Sequence, residues 1–348
     1  MLRSLRNTAF FACTIALAHG IAAAGTPYKI VTASERGTYI QIGRDLAKYV
    51  APAADIDLEV LPSAGSSENV QRLRYEPGVK FALVQSDVYQ AYINQGASGH
   101  AEAARIIRPL RVILPLYNEE IYFIARADAP YTYVHEIRDA KINVGLLRSG
   151  TAMSATTLYR LMFDRPLPDA NISFLSNEEA LVRLVTDKSI DVVVVVAGQP
   201  AKLLTDMKPE ARALIKLLKL DPKHPASQAA LKTYFPTSVR ASLHPNLLTE
   251  DVPSLAVKAF LVTYDYNQSA TQARLARFAR ALCENFGTLQ AEGHPKWKEV
   301  ELAMPDLGRG WAYFPPIARE FERCLAARAQ PARAKSCTTE QKILGLCE

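Results

Sequence analysis

Short apolar runs alternate with amphipathic segments along the first part of the chain. The runs at 28–32, 57–61 and 79–85 have the length and composition of β-strands. Each precedes a segment whose apolar residues recur every three or four positions, which is typical of a helix with one buried face. This order of strand and helix predicts a largely parallel sheet with right-handed crossovers.

A long extended stretch separates this unit from a second one. Residues 111–127 are apolar and extended, with Pro115 inside them, and the alternation of strand and helix restarts afterwards. The second unit has predicted strands at 141–147 and 190–197 and predicted helices at 152–163 and 176–185. The run at 190–197 is apolar without alternation, as expected of a parallel strand that is buried on both faces.

A second extended run, 254–264, leads back to the first unit, and predicted helices at 271–289 and 316–327 complete it. This plan predicts an α/β protein with two lobes, a clamshell whose chain crosses the hinge twice. The expected division is a signal peptide at 1–24, lobe 1 at 25–118 plus 255–330, lobe 2 at 119–254 and a C-terminal tail at 331–348. Open parallel sheets bind ligands beyond the carboxyl ends of their strands, so the interlobe cleft is the expected site.

Composition and charge exclude several other classes. The chain has 348 residues, of which 49% are hydrophobic and 22% charged, an ordinary globular composition with room for two domains. The formal charge is +6, but no stretch is dense in Lys and Arg, so no nucleic-acid binding is expected. The sequence has no phosphate-binding loop, hydrolase elbow or metalloprotease motif, and its six histidines are scattered. We therefore expect no catalytic residues, no metal and no cofactor.

The N-terminus has the three parts of a secretory signal peptide. Arg3 and Arg6 form a basic start, an uncharged apolar run follows at 8–18, and small residues at 21–25 suit a signal peptidase. The apolar run, about 11 residues, is too short to span the roughly 30 Å of a bilayer core. We expect cleavage after Ala24 and a periplasmic, monomeric mature protein.

Cysteine usage agrees with an oxidising compartment. Cys13 leaves with the signal peptide, and an even set of four remains towards the C-terminus. The apolar faces of the two C-terminal helices favour a Cys283–Cys324 disulfide, which leaves Cys337 to pair with Cys347. Four cysteines allow three connectivities, and the interior pair could instead stay reduced as buried apolar residues.

Glycine and small polar residues fill four predicted strand-to-helix turns, at 34–39, 63–69, 148–151 and 198–200. A helix N-terminus offers unpaired N–H groups and a partial positive charge, so it binds carboxylates and phosphates. The candidate ligand residues in these turns are Gly37, Gly65, Ser66, Ser149, Gly150, Thr151 and Gly198. Each hydroxyl could instead be a purely structural N-cap. Two such turns in each half of the chain favour a shared anion-binding cleft.

From Tyr28 to about Glu322, the chain resembles the TAXI solute receptors (TRAP-associated extracytoplasmic immunogenic proteins). The matching places, in order, are Thr32 with 37–39, 65–66 with Asn69, 84–88, 116–119, 144–145 with 149–151, 198–200 and 255–257. The resemblance implies a type II periplasmic-binding-protein fold that closes on a small organic anion or amino acid, glutamate-like or dicarboxylate. It also implies that the ligand is delivered to TRAP membrane subunits.

The resemblance carries over a set of ligand contacts, namely Thr38, Tyr39, Ser66, Asn69, Gln85, Ser149, Thr151 and Gln199. The first loop departs from the family pattern, because it has Glu35 and Arg36 where glycines are usual. Arg36 is a further candidate, since a guanidinium forms a fork for a carboxylate; its alternative is an exposed charge paired with Glu35. The alternative functions are a receptor that feeds a signalling complex and a periplasmic enzyme on the same fold.

Overall fold

We describe the fold from a computed structural model of the chain, which describes residues 25–35, 37–307 and 310–329. The expected signal peptide, Arg36, the expected Cys337–Cys347 pair and the C-terminal tail lie outside the described residues. No helix among the described residues has the length and apolar character needed to cross a membrane.

Ten strands form one mixed sheet. They are β1 Thr26–Val31, β2 Ile56–Leu61, β3 Val79–Gln85, β4 Leu110–Arg126, β5 Ile142–Asn143, β6 Ile172–Ser173, β7 Val192–Ala197, β8 Ile215–Leu217, β9 Phe235–Val239 and β10 Val252–Tyr264. The main strand order is β2-β1-β3-β10-β4-β7-β5-β6, with β8 beside β4 and β9 beside β10.

Twelve α-helices among the described residues connect or cover these strands. They are α1 Thr38–Tyr49, α2 Ser66–Tyr75, α3 Val88–Ala97, α4 Ala101–Ile107, α5 Gly150–Phe163, α6 Asn177–Val185, α7 Lys202–Thr205, α8 Pro209–Arg212, α9 Pro225–Ala230, α10 Ser269–Glu284, α11 Phe286–Glu292 and α12 Pro315–Ala329.

The sheet has two parallel halves joined by two long antiparallel strands. Strand β1 pairs in parallel with β2 and β3, and β5 pairs in parallel with β6 and β7. We call the half around β1–β3 lobe 1 and the half around β5–β7 lobe 2. Strands β4 and β10 pair along most of their length, and each runs through both halves. The protein therefore has the expected two-lobed α/β architecture, and the chain passes between the lobes twice, in β4 and in β10.

Pro115 lies within β4, opposite Phe260 of β10. Proline has no N–H to donate, so it interrupts a ladder wherever it sits in a central strand. The register of the β4–β10 pair shifts just beside this position, between Lys258 and Phe260. The extended runs predicted at 111–127 and 254–264 are confirmed as these two strands.

Each lobe has apolar layers on both faces of its sheet. In lobe 1, Phe278 of α10 packs on Phe81 of β3, with ring centroids 4.5 Å apart. The C-terminal helices thus complete lobe 1, as their apolar faces predict. A disulfide joins Cys283 of α10 to Cys324 of α12, with the Cα atoms 6.5 Å apart.

Three predicted elements differ from the structure. The strand expected at 141–147 is only Ile142–Asn143, because the chain turns at Gly145, whose φ of 83° lies in the left-handed region. The helix expected at 271–289 is two helices that meet at Asn285. The turn predicted at 198–200 does not lead directly into a helix, since α7 begins at Lys202.

Candidate functional site

A cleft of about 950 Å³ lies between the lobes, at the carboxyl ends of the strands. The turns after β1, β2 and β7 and the turn before α5 all contribute to its walls. Among the candidate residues, those that line the cleft are Gly37, Thr38, Tyr39, Gly65, Ser66, Gln85, Ser149, Gly150, Thr151 and Gly198. The topology therefore brings together residues that are more than 150 positions apart in the sequence.

The N-termini of α2 and α5 meet at the wall of the cleft, where the two lobes touch. Gly65 is the N-cap of α2, with a φ of 124°, and Ser149 is the N-cap of α5. A Cβ atom at Gly65 would lie 3.2 Å from the backbone nitrogen of Gly150. The positive ends of two helix dipoles, one from each lobe, thus converge on one point. Such convergence is unfavourable unless an anion or a polar group lies near it.

Gly150 allows this close approach. A Cβ atom there would overlap Oε1 of Gln85 and would lie 2.7 Å from Oγ of Ser66. A larger residue at position 150 would have to displace these two side chains. The glycine that the sequence places in this turn therefore suits the close contact between the lobes.

The hydroxyls of Ser66 and Ser149 have defined partners. Oγ of Ser66 accepts a hydrogen bond of 3.1 Å from the backbone N–H of Gln85. Oγ of Ser149 accepts one of 3.0 Å from the N–H of Ala152, so Ser149 caps α5. Both oxygens also lie at the cleft wall, where their own hydrogens can be donated to a ligand.

Glu119 and Tyr39 form a buried pair at the wall of the cleft. The Tyr39 hydroxyl donates a hydrogen bond of 2.6 Å to Oε2 of Glu119, and the two residues are 5% and 4% exposed. Burial raises the pKa of Glu119 to about 8, against the opposing effects of Tyr39 and Lys296. Burial also raises the pKa of Tyr39 well above its ordinary value. At neutral pH this wall of the cleft therefore holds an uncharged carboxyl group.

Sequence reasoning did not assign Glu119 to the site. It lies in β4 within a run of apolar residues, and Glu120 beside it is also buried. The sequence feature that could have indicated this is the pair of adjacent glutamates in an otherwise apolar strand. Carboxyl groups are seldom buried without a role or a partner.

Asn69 does not line the cleft. Its Nδ2 donates to the carbonyls of Thr32, at 2.5 Å, and Leu83, at 2.7 Å. Its Oδ1 accepts a 2.6 Å hydrogen bond from Ser63. With both ends of the amide used, Asn69 ties the ends of β1 and β3 to the loop before α2. Asn69 therefore positions the residues of the cleft wall and does not itself line the cleft.

Gln199 is also a supporting residue. Its backbone N–H and its Nε2 each donate a hydrogen bond of 2.9 Å to the Glu120 carboxylate. Its Oε1 accepts from the Arg240 N–H at 2.8 Å. Gln199 thus fastens the turn after β7 to the hinge strand, and burial raises the pKa of the Glu120 carboxyl that it contacts.

The lobes also touch beside the cleft. Asp87, just before α3 of lobe 1, accepts hydrogen bonds from Ser154 and Tyr234 of lobe 2, at 2.6 Å and 2.9 Å. Burial raises the pKa of Asp87. On the surface, Arg148 donates to the Gln71 side chain at 2.8 Å. These contacts hold the lobes together at the α2 and α3 side of the cleft.

The described residues include no group of three or more His, Cys, Asp and Glu side chains that could hold a metal ion. The polar groups of the cleft are hydroxyls, amides, carboxyls and backbone N–H groups, together with the side chains of Lys202 and His294.

Several solved structures resemble the chain at low sequence identity. XAC2383 from Xanthomonas citri bound to ATP is 11% identical, with a TM-score of 0.48, and the match covers 86% of this chain and 98% of that one. MatC from Rhodopseudomonas palustris with bound malate is 13% identical, with a TM-score of 0.47, covering 86% and 97%. The Candida albicans CA3427 product, described as having the generic periplasmic binding protein fold, is 13% identical, with a TM-score of 0.45, covering 88% and 91%.

A family model matches the chain in sequence. It is the model of the NMT1-like family, and it matches residues 30–309. These residues include the whole of the cleft wall and every strand, apart from the first residues of β1. The chain belongs to the NMT1-like family.

Proposed function

We propose that the protein is a periplasmic solute receptor that captures a small organic carboxylate or amino acid in the interlobe cleft and delivers it to a TRAP membrane transporter. The observation that carries this proposal is the meeting of the α2 and α5 N-termini, one from each lobe, beside the buried Tyr39–Glu119 pair. The TRAP partner follows from the sequence resemblance to the TAXI receptors, and the periplasmic location follows from the basic, apolar and small-residue order of residues 1–24.

A carboxylate suits this point of the cleft for three reasons. The N–H groups in the first turn of a helix have no partner within the helix, and both helix dipoles favour a negative charge. In α2 the N–H of Glu68 is donated to the Arg148 carbonyl, and in α5 that of Ala152 is donated to Ser149, so the first N–H groups of the two helices are the donors proposed for the ligand. The hydroxyls of Ser66, Ser149 and Thr151 line the same wall and supply further donors. The Glu119 carboxyl is uncharged at neutral pH, so it does not repel the ligand.

Binding would close the clamshell. A single carboxylate that contacts both helix N-termini binds the closed form better than the open form, and this difference in affinity shifts the population towards closure. The movement would be a rotation of lobe 1 (25–118 and 255–330) on lobe 2 (119–254) through β4 and β10. The register shift beside Pro115 is a place where the two strands can twist with little loss of pairing.

Binding explains the site better than chemistry does. Oγ of Ser66 and Oγ of Ser149 each accept a backbone N–H, which fixes them as parts of the wall. Neither is arranged as a nucleophile with a base, which a catalytic serine needs. We therefore propose a receptor and not an enzyme.

A thermal-shift screen of the mature protein tests the proposal. The panel consists of acetate, succinate, glutarate, glutamate, 4-methylpentanoate and 3-phenylpropanoate, with the corresponding uncharged amides as controls. A ligand at 100 times its Kd stabilises the protein by about 2.7 kcal/mol, which is easily measured. At least one acid should stabilise the protein where its amide does not. Equal effects of acids and amides, or no effect of any acid, would contradict a carboxylate receptor.

A further inference from the structure

Part of the wall that lobe 2 contributes to the cleft is apolar. This part consists of Leu146, Val195, Val196, Ala197, Leu203 and Met207, and polar residues such as Ser176, Asn177 and Lys202 line the rest. Leu146, in the turn before α5, is 43% exposed. Leu203 and Met207 are also only partly buried. Apolar side chains that remain accessible inside a cleft are suited to an apolar portion of a ligand.

The charged residues of the cleft disfavour a second carboxylate on the ligand. Glu35 and Asp206 also line the cleft. Lys202 is the only lysine or arginine among the cleft residues that the structure describes. A dicarboxylate would therefore place its second charge among more negative groups than positive ones, and like charges destabilise a complex.

The size of the cleft points the same way. Clefts of roughly 300–1,000 Å³ hold ligands of the size of drug molecules, and this cleft has about 950 Å³. An acid with only two to four carbons would leave most of the apolar wall in contact with water. Each methylene buried against that wall should tighten binding roughly fourfold.

We propose that the ligand is an amphiphilic monocarboxylate, with its carboxylate at the N-termini of α2 and α5 and an aromatic or branched apolar body against Leu146, Val196, Leu203 and Met207. This inference rests on the proposed function, because it takes the carboxylate site as given. It narrows the ligand class away from the glutamate-like and dicarboxylate ligands that the sequence resemblance implies.

Calorimetric titration of the mature protein with four acids tests the inference. The acids are 3-phenylpropanoate, 4-methylpentanoate, acetate and succinate. The two acids with apolar bodies should bind at least about 30-fold more tightly than acetate, and succinate should bind no better than acetate. If succinate or acetate binds as tightly as 3-phenylpropanoate, the inference is overturned, but the proposed function as a carboxylate receptor is not. Binding of none of the acids would remove the proposed function together with the inference.

Variants of the apolar wall give a second, independent readout. Met207→Lys should weaken 3-phenylpropanoate at least about tenfold and strengthen succinate, because it removes apolar surface and supplies a cation for the second carboxylate. Leu146→Asn should weaken 3-phenylpropanoate and leave acetate unchanged. Val182→Lys is the matched control, since Val182 is 57% exposed on α6 and does not line the cleft. If the Kd values of the acids keep the same ratios to one another in both wall variants as in wild type, the placement of the apolar body is contradicted.

Discussion

Tyr234 of lobe 2 donates a hydrogen bond of 2.9 Å to the carboxylate of Asp87 in lobe 1, across 147 positions of sequence. Both side chains are buried, and Ser154 of α5 donates to the same carboxylate oxygen. The contact lies next to the point where α5 approaches Gln85, so it aligns the two helix N-termini of the site. The interlobe geometry therefore depends partly on a polar contact that no ligand makes.

Tyr234→Phe should lower the free energy of unfolding by about 1–3 kcal/mol, because the buried Asp87 carboxylate loses a donor that nothing replaces. Urea unfolding followed by circular dichroism measures the change. Tyr75→Phe is the control, since Tyr75 is 57% exposed. Loss of its hydroxyl should change the free energy of unfolding by less than about 0.5 kcal/mol. Equal small effects of the two variants would show that the Tyr234–Asp87 contact contributes little.

Glu119 should make carboxylate binding depend on pH. Its pKa is raised to about 8, so the group is neutral below that pH and ionised above it. We expect the affinity for 3-phenylpropanoate or another bound acid to stay level from pH 6 to about 7 and to fall above about pH 8 as the wall becomes negative. Glu119→Gln, which keeps a polar group of the same shape without the charge, should hold the affinity level through pH 9.

The same raised pKa has a consequence for folding. Between the ordinary carboxyl pKa of 4.5 and about 8, the folded protein keeps a proton on Glu119 that the unfolded chain has released. Stability falls with rising pH wherever the folded state binds more protons, so Glu119 should lower the free energy of unfolding across this window. Comparing the unfolding of wild type and Glu119→Gln at pH 5 and pH 8 isolates this contribution. The free energy of unfolding of wild type should fall relative to that of Glu119→Gln between pH 5 and pH 8. A relative gain by wild type over this range would contradict the expected sign.

The hydroxyls at the helix N-termini should contribute to affinity. Ser66→Ala together with Thr151→Val should weaken carboxylate binding by about 1–3 kcal/mol, because buried ligand oxygens lose donors. Ser98→Ala with Thr186→Val is the matched control, since both hydroxyls are exposed and bond to carbonyls of their own helices. Calorimetry that gives one Kd for wild type and for both double variants would rule out this placement of the carboxylate.

The disulfide between α10 and α12 should stabilise lobe 1. It closes a loop of 41 positions, for which the entropy of the unfolded chain predicts roughly 3–4 kcal/mol at most. Cys283→Ala with Cys324→Ala should lower the free energy of unfolding by up to that amount. Peptide mapping without reduction should find a 283–324 link and, as the sequence predicts, a 337–347 link; a 283–337 or 324–347 peptide would show different pairing.

The sequence predicts the architecture well because the architecture follows from periodicity. Strand β3 lies where its apolar run predicts, and the hinge strands β4 and β10 differ from prediction by only one or two residues. The bounds of the short strands β5 and β6 cannot be predicted in this way, because two-residue strands have no periodicity to detect. Turn glycines such as Gly65 could be predicted as site residues because close approach of two backbones leaves little room for a side chain.

Other parts of the site depend on tertiary contacts and could not be predicted. Asn69 and Gln199 have the residue types of ligand contacts, but their amides are used by backbone groups and by Glu120. Glu119 belongs to the site because β4 places it at the cleft wall, where burial raises its pKa to about 8. Neither the partners of a buried amide nor the pKa of a buried carboxyl can be read from spacing along the chain.

Closure on a carboxylate is the central claim, and small-angle X-ray scattering of the mature protein tests it most directly. The radius of gyration should be measured without ligand and with a saturating concentration of the most tightly bound acid, with the corresponding amide as control. The account predicts a smaller radius of gyration with the acid but not with the amide, because the carboxylate favours the arrangement described here, in which the N-termini of α2 and α5 meet, over a more open one. A scattering profile that the saturating acid leaves unchanged would contradict it.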